Sequence, residues 1–168
     1  TMSDVVQHKD TRREFIDGLC ELAERDSKIC LIVADVGFNY IEKFQKQFPD
    51  RFFNFGVTEQ STMIIAAAMA LNGMRPYVYS MIPFVVFRPY EMVRNAICHH
   101  NANVKLIGVK GSEKYKMLGF SHNLCVEDED WRVLRWMPNM KCAFPDVETT
   151  KETIKKAYKY VGPFYIRL

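Results

Sequence analysis

The sequence predicts an α/β fold: a parallel-sheet three-layer sandwich with helices on both faces. Three observations carry this prediction. Helix-like and strand-like segments alternate along the chain, the pattern from which parallel sheets are built. Candidate strands are continuous apolar runs, such as Ile29-Cys30-Leu31-Ile32-Val33-Ala34, as expected where both faces of a strand are covered. No internal repeat, linker or low-complexity tract interrupts the 168 residues, a length suited to a single domain with a real core.

The elements follow in order. Residues 11–25 place Phe15, Leu19, Leu22 and Ala23 at helical spacing. The run 29–34 is the first strand, and 40–47 forms a short helix. Residues 51–55 form the second strand. A helix covers 59–72, with Gly73 well placed as the residue just past its end. Residues 75–80 form the third strand. Pro89 suits the first turn of a helix over 89–99, and 104–109 is the fourth strand. The polar, glycine-bracketed stretch 111–120 reads as a loop. A helix over 127–136, a strand over 140–144, a helix over 147–160 and a strand over 164–167 complete the alternation, and the chain stops abruptly there.

Composition narrows the function. Hydrophobic residues make up 48%, which argues against disorder. The net charge is +3 with no clustered Lys/Arg run, so nothing suggests nucleic-acid binding. The longest apolar stretch, 63–71, is far too short to span a membrane. The start of the chain, 1–13, is polar and charged, unlike a signal peptide, and Thr1 ahead of Met2 looks like a cloning remnant. Five cysteines are scattered, odd in number and without a Cys-x-x-Cys pair. That argues against a disulfide framework or structural zinc and for small core residues in a reducing cytoplasm.

The candidate chemistry begins at Phe53-Asn54-Phe55-Gly56-Val57-Thr58-Glu59-Gln60, read as strand, glycine turn and helix start. Glu59 has a plain structural reading, a first-turn glutamate stabilised by the helix dipole by about 0.3–1 kcal/mol. It also sits where open α/β sheets bind ligands, at the carboxyl end of a strand. A carboxyl held among apolar groups is suited to sharing a proton with a ligand. Phe84, Phe87 and Tyr90 fall at i, i+3 and i+6, either a core stripe or a platform for a flat heterocycle. His122, in Gly119-Phe120-Ser121-His122-Asn123, is a loop histidine that could be structural or catalytic. His99-His100 closes a helix, where cations suit the dipole. The acidic run 127–130 reads as a solvated helix face, and no residue set suggests a metal site. Walker, dinucleotide-binding and nucleophile-elbow motifs are absent.

Taken together, these segments resemble the pyrimidine-binding domain of transketolase-like, thiamine-diphosphate-dependent enzymes over about residues 11–168. The matching elements occur in family order. They are Thr11-Arg12, Val33-Ala34-Asp35, Phe55-Gly56-Val57-Thr58-Glu59-Gln60, the Phe84/Phe87/Tyr90 pattern, Gly119-Phe120-Ser121-His122, Glu127-Asp128, Pro138-Asn139-Met140 and Pro145-Asp146. The resemblance implies that Glu59 hydrogen-bonds the ring nitrogen of the cofactor's aminopyrimidine and drives it toward the imino tautomer. The exocyclic nitrogen then deprotonates the thiazolium carbon, which attacks a ketose. It also implies that Phe87 stacks on the pyrimidine, that Phe84 and Tyr90 line its pocket, and that His122 faces the substrate. The family's Gly-Asp-Gly motif for the diphosphate and its metal does not occur here, and the family's third domain has no counterpart. The resemblance therefore implies a diphosphate-binding partner subunit that carries Mg2+, a homodimer or heterotetramer, and a lone chain that is inactive. Lys110-Gly111 stands where many sugar-utilising members carry His-Asp, and Leu118-Gly119 where many carry Asp-Gly. These departures remove the residues on which the resemblance would base the usual phosphosugar specificity, and leave sugar and sugar phosphate both open.

Three functions compete at this level. The first is ketol transfer between sugars or sugar phosphates by a split transketolase-like enzyme. The second is a subunit of a related thiamine enzyme, of 2-oxoacid dehydrogenase or deoxyxylulose phosphate synthase type. The third is a non-catalytic dimerising module that keeps the fold. If the pocket lies at a domain edge, Phe84, Phe87 and Tyr90 are expected to be exposed in a monomer, forming an apolar patch that marks an interface.

Overall fold

The computed structural model describes residues 10–111 and 113–168. Most of the polar N-terminal stretch, and Ser112 of the expected loop, lie outside these residues. The elements are α1 (Thr11–Ala23), β1 (Ile29–Val33), α2 (Glu42–Gln47), β2 (Phe52–Asn54), α3 (Glu59–Leu71), β3 (Arg75–Met81), α4 (Tyr90–Met92), β4 (Lys105–Val109), α5 (Glu129–Leu134), β5 (Lys141–Ala143), α6 (Thr150–Lys159) and β6 (Phe164–Arg167). Asp10 starts α1 by accepting the Arg13 amide on Oδ1 at 3.0 Å, which satisfies one of the orphan donors of the first turn.

Six strands form one sheet in the order β2-β1-β3-β4-β6-β5, and every pairing is parallel. All residues of β1 and β4 are buried, which is why β1 reads as an unbroken apolar run. β4 opens with the buried Lys105, whose Nζ donates to the Asn103 side chain and to the Tyr160 and Gly162 carbonyls. The side chains of the strands still alternate between two cores. Leu31, Tyr77, Tyr79, Ile107 and Ile166 pack with Phe15 and Leu19 of α1 and Ile154 of α6. Ile32, Val78, Leu106 and Tyr165 pack on the other face with Met63, Ala66 and Ala67 of α3 and with Val93 and Ile97. The result is the predicted three layers.

The helix expected over 89–99 differs from prediction. The backbone is π-helical over Pro83–Phe87 and again over Val93–Cys98, with α4 between. The Arg88 amide reaches back to the Pro83 carbonyl at 3.0 Å, an i→i+5 bond. Pro89 has no N–H to continue a regular ladder, and π segments of this kind concentrate at functional sites. The expected loop 111–120 instead winds as a 3₁₀ segment, Glu113–Ser121, kinked at Gly119 with φ 64°.

The acidic run is a further correction, because Asp130 is fully buried rather than solvated. Its Oδ2 accepts the Tyr165 hydroxyl at 2.6 Å and its Oδ1 accepts from the Arg167 guanidinium at 3.0 Å. The Arg167 guanidinium also pairs with Asp128 at 2.7 Å. The β4-β6-β5 order brings the end of β6 under the start of α5, and no local pattern announces that. Gly108 of β4 leaves room for this arrangement, since a Cβ there would lie 2.5 Å from the Tyr165 hydroxyl.

The cysteine expectation holds for Cys20, Cys30 and Cys98, which are buried, but Cys125 is exposed. Burial pushes the Cys20 thiol up to about 11 and those of Cys30, Cys98 and Cys142 up to about 12, so none of the four offers a thiolate nucleophile at neutral pH. No helix among the described residues is long and apolar enough to cross a membrane.

The sheet order reverses between β1 and β3. The connection from β1 runs to β2 on one side, while β3, β4, β6 and β5 extend on the other. Ligands of open α/β sheets bind at the carboxyl ends of strands at such a switch point, so this end of the sheet is where the functional groups should gather.

Candidate active site

Glu59 is the first residue of α3 and is only 7% exposed. Its position is set by a short chain of backbone links. The Phe55 amide bonds the Val33 carbonyl at 3.2 Å, extending the β1–β2 pairing. Asn54 accepts the amides of both Asp35 and Gly56 on its side-chain oxygen, each at 3.0 Å, tying the end of β1 to the turn. Gly56 then takes φ 68° with no atom within 4 Å of a hypothetical Cβ. Thr58 closes the turn, its hydroxyl donating to the Phe55 carbonyl at 2.9 Å. The Gly56 requirement is therefore conformational and not steric. Gly56→Ala is expected to cost about 1–2 kcal/mol, the penalty for a left-handed non-glycine residue, as a lowered midpoint in urea unfolding.

The partner of Glu59 is Arg88. Its guanidinium donates to Oε1 at 2.7 Å and lies over the Phe84 ring, 4.0 Å from the centroid. Phe84 is nearly buried at 6% and meets His122 edge-on, with ring centroids 4.9 Å apart. The His122 Nδ1 is engaged by the Ser121 hydroxyl at 2.7 Å. Glu59, Arg88, Phe84 and His122 thus form a continuous chain of contacts from three separate parts of the sequence.

Of the predicted residues, Phe84 and His122 are brought together, and Glu59 joins them through Arg88. Phe87 is half-buried and packs against the α3-side core, while Tyr90 is 38% exposed. The three aromatics thus differ in exposure, from the nearly buried Phe84 to the exposed Tyr90. The expected exposed aromatic patch therefore does not form. Exposed apolar side chains lie instead at Val57, in the turn ahead of α3, and at Ile64 and Leu71 on α3. Arg88 and Asn54 were not singled out from sequence. The signal that could have found Arg88 was its place inside the aromatic segment.

A cleft of about 310 Å³ opens at the switch point, lined by Arg12, Asp35, Tyr79, Phe84, Lys110 and His122 among others. A neighbouring cleft of about 410 Å³ shares Lys110 and His122 and adds Glu127. Lys110 stands 3.9 Å from Glu127. Burial pushes the Tyr79 hydroxyl well above its ordinary value, so it stays neutral. Glu59 and Arg88 line a separate, smaller cleft that shares no lining residue with these two. Among the described residues, no three His, Cys, Asp or Glu side chains are grouped to hold a metal ion. Chemically, the site offers a buried carboxylate, a histidine with one nitrogen engaged, aromatic surface and the cations Arg12, Arg88 and Lys110.

Residues 7–168 match the model of the transketolase pyrimidine-binding domain. The chain belongs to the transketolase pyrimidine-binding domain family. An apulose-4-phosphate transketolase subunit of Phocaeicola vulgatus is 33% identical over 159 residues, covering 94% of this chain and 50% of that protein. A 1-deoxy-D-xylulose-5-phosphate synthase of Listeria monocytogenes is 33% identical over 153 residues, covering 89% of this chain and 24% of its own length. Among solved structures, a split-gene transketolase described as an inactive beta4 tetramer superposes with a TM-score of 0.83 at 34% identity, covering 96% of this chain and 51% of that one. The chain thus spans about half the length of its subunit-type relatives.

Membership of this transketolase domain family implies dependence on thiamine diphosphate. The residues present fit the pyrimidine end of that cofactor. A nearly buried carboxylate is paired with the Arg88 guanidinium, which lies over the face of the Phe84 ring.

Proposed function

We propose that this chain is the pyrimidine-binding subunit of a thiamine-diphosphate-dependent, transketolase-like enzyme that transfers a two-carbon ketol unit between sugars. The observation that carries the reading is Glu59, a carboxylate 7% exposed at the head of α3, within a domain whose whole described length matches the family. The bound cofactor supplies the electron sink for breaking and forming the carbon–carbon bond. Glu59 would accept a hydrogen bond from the pyrimidine ring nitrogen and share its proton. Phe84, Phe87 and Tyr90 confine the ring. His122, with Nδ1 held by Ser121, presents Nε2 as the nitrogen that exchanges a proton with a substrate hydroxyl.

The chain contains no Gly-Asp-Gly. In this reading the diphosphate and its Mg2+ are held by a partner subunit, the assembly is a homodimer or a heterotetramer with that partner, and the lone chain is inactive. The working compartment is the cytoplasm, and the substrate is a sugar or sugar phosphate. The chain should be co-expressed with a diphosphate-binding transketolase subunit and the product titrated with thiamine diphosphate and Mg2+ by calorimetry. Tight binding by the complex, weak or absent in the lone chain, is the expected result. No complex and no binding would leave a non-catalytic module with the same fold. The Listeria synthase at 33% identity supports a second reading, a subunit of a related thiamine enzyme of deoxyxylulose phosphate synthase type, for which a 2-oxoacid is the substrate to test. Release of CO2 from such an acid by the complex, without ketol transfer between sugars, would favour it.

A further inference from the structure

We infer that Arg88 is a displaceable place-holder for the cofactor's aminopyrimidine, so that cofactor entry and rupture of the Glu59–Arg88 ion pair are one event. The inference rests on the pyrimidine-binding role proposed above. Its grounds are geometric. A carboxylate as buried as Glu59 needs a donor, because an unpaired buried charge is costly. The structure supplies that donor from Arg88, through a 2.7 Å bond to Oε1. The same guanidinium covers the Phe84 ring at 4.0 Å from its centroid. A planar, cationic, hydrogen-bonding group thus occupies the two features that a planar heterocycle would use, the carboxylate oxygen and the aromatic face.

The contact is also built to be broken. The Arg88 side chain is 44% exposed while that of Glu59 is 9% exposed, so the arginine can return to water with little loss and the glutamate cannot. Its backbone, by contrast, is held at both ends. The amide donates to the Pro83 carbonyl at 3.0 Å, and the carbonyl accepts from the Gln60 side chain at 3.4 Å. Movement is thereby confined to the side chain. Because the pair is half in solvent, its contribution is that of a partly screened ion pair and not of a buried one.

The consequence is a self-capped site. Without cofactor, Arg88 keeps Glu59 paired and the ring face covered; with cofactor, the ring nitrogen takes the place of the guanidinium. Removing the guanidinium removes a competitor, so it should tighten cofactor binding where loss of a direct ligand would weaken it.

The test measures thiamine diphosphate affinity by calorimetry, at fixed Mg2+, for the chain in complex with its diphosphate-binding partner. It compares wild type, Arg88→Ala, Arg88→Gln and Arg88→Lys. The expected result is a dissociation constant lowered about threefold to tenfold in Arg88→Ala and Arg88→Gln, with Arg88→Lys between them and wild type. The gap should narrow as salt is raised. In wild type, the Arg88 side-chain NMR resonance should shift on cofactor addition, a readout independent of turnover. Equal or weaker binding by both neutral variants, while wild type binds, overturns the place-holder and leaves the pyrimidine-binding role intact. Absence of binding by wild type itself overturns both.

Discussion

Glu59→Gln in the reconstituted complex is expected to lower ketol-transfer turnover by about 10²–10⁴-fold, the range supplied by a positioned general acid–base group. Glutamine keeps the volume of the side chain and an oxygen that can still accept from Arg88, so the 2.7 Å contact has a neutral substitute. What it loses is the anionic oxygen to which the proposed function assigns proton sharing with the ring nitrogen. The site around it is set by Asn54, Gly56 and Thr58, none of which touches the carboxylate, so the turn survives the change. Steady-state turnover and thermal midpoint should be measured on the same preparation. A large drop in turnover with a nearly unchanged midpoint places Glu59 in the chemistry. Unchanged turnover would reduce it to a helix-dipole residue worth about 0.3–1 kcal/mol, and the catalytic reading would fall with it.

Asp130→Ala is expected to lower stability by about 3–5 kcal/mol, the cost of removing one partner of a buried ion pair. Asp130 has no exposed surface and holds two groups at once, the Tyr165 hydroxyl at 2.6 Å and the Arg167 guanidinium at 3.0 Å. Tyr165 is itself fully buried, and burial raises its hydroxyl well above its ordinary value, so the phenol cannot ionise to compensate. Arg167 retains Asp128 at 2.7 Å, which limits the loss on that side. Because α5 and β6 are joined here, the unfolding midpoint should fall by on the order of 10 °C. Asp130→Asn, which can still accept from Tyr165, should lose less. Equal midpoints for the alanine variant and wild type would show that the cluster contributes nothing net.

Much of the fold was legible in the chain. The apolar run in β1, the helical spacing of α1 and the glycine turn into α3 are short-range signals, and each element appears within a few residues of its predicted place. Predicted ends ran long at α5 and β5 because termini carry weak signals. The π-helical stretch around Phe84 was hidden because its apolar pattern is equally consistent with a regular helix. Asp130 was misread because charge on a predicted helix usually faces water, and only the path of β6 brings Tyr165 and Arg167 to it.

The sequence by itself determined an α/β chain with Glu59 at the head of a helix, aromatics at Phe84, Phe87 and Tyr90, and His122 downstream. Periodicity, turn residues and caps act over a handful of residues and leave their mark in the order of amino acids. Only the tertiary structure decided the strand order β2-β1-β3-β4-β6-β5, and with it the switch point at which the clefts open. It alone decided that Arg88, 29 residues from Glu59, is that glutamate's partner, and that His122 meets Phe84. Such pairings depend on where parallel crossovers set the ends of distant elements. A single charged or aromatic side chain has no periodicity by which its eventual partner could be read.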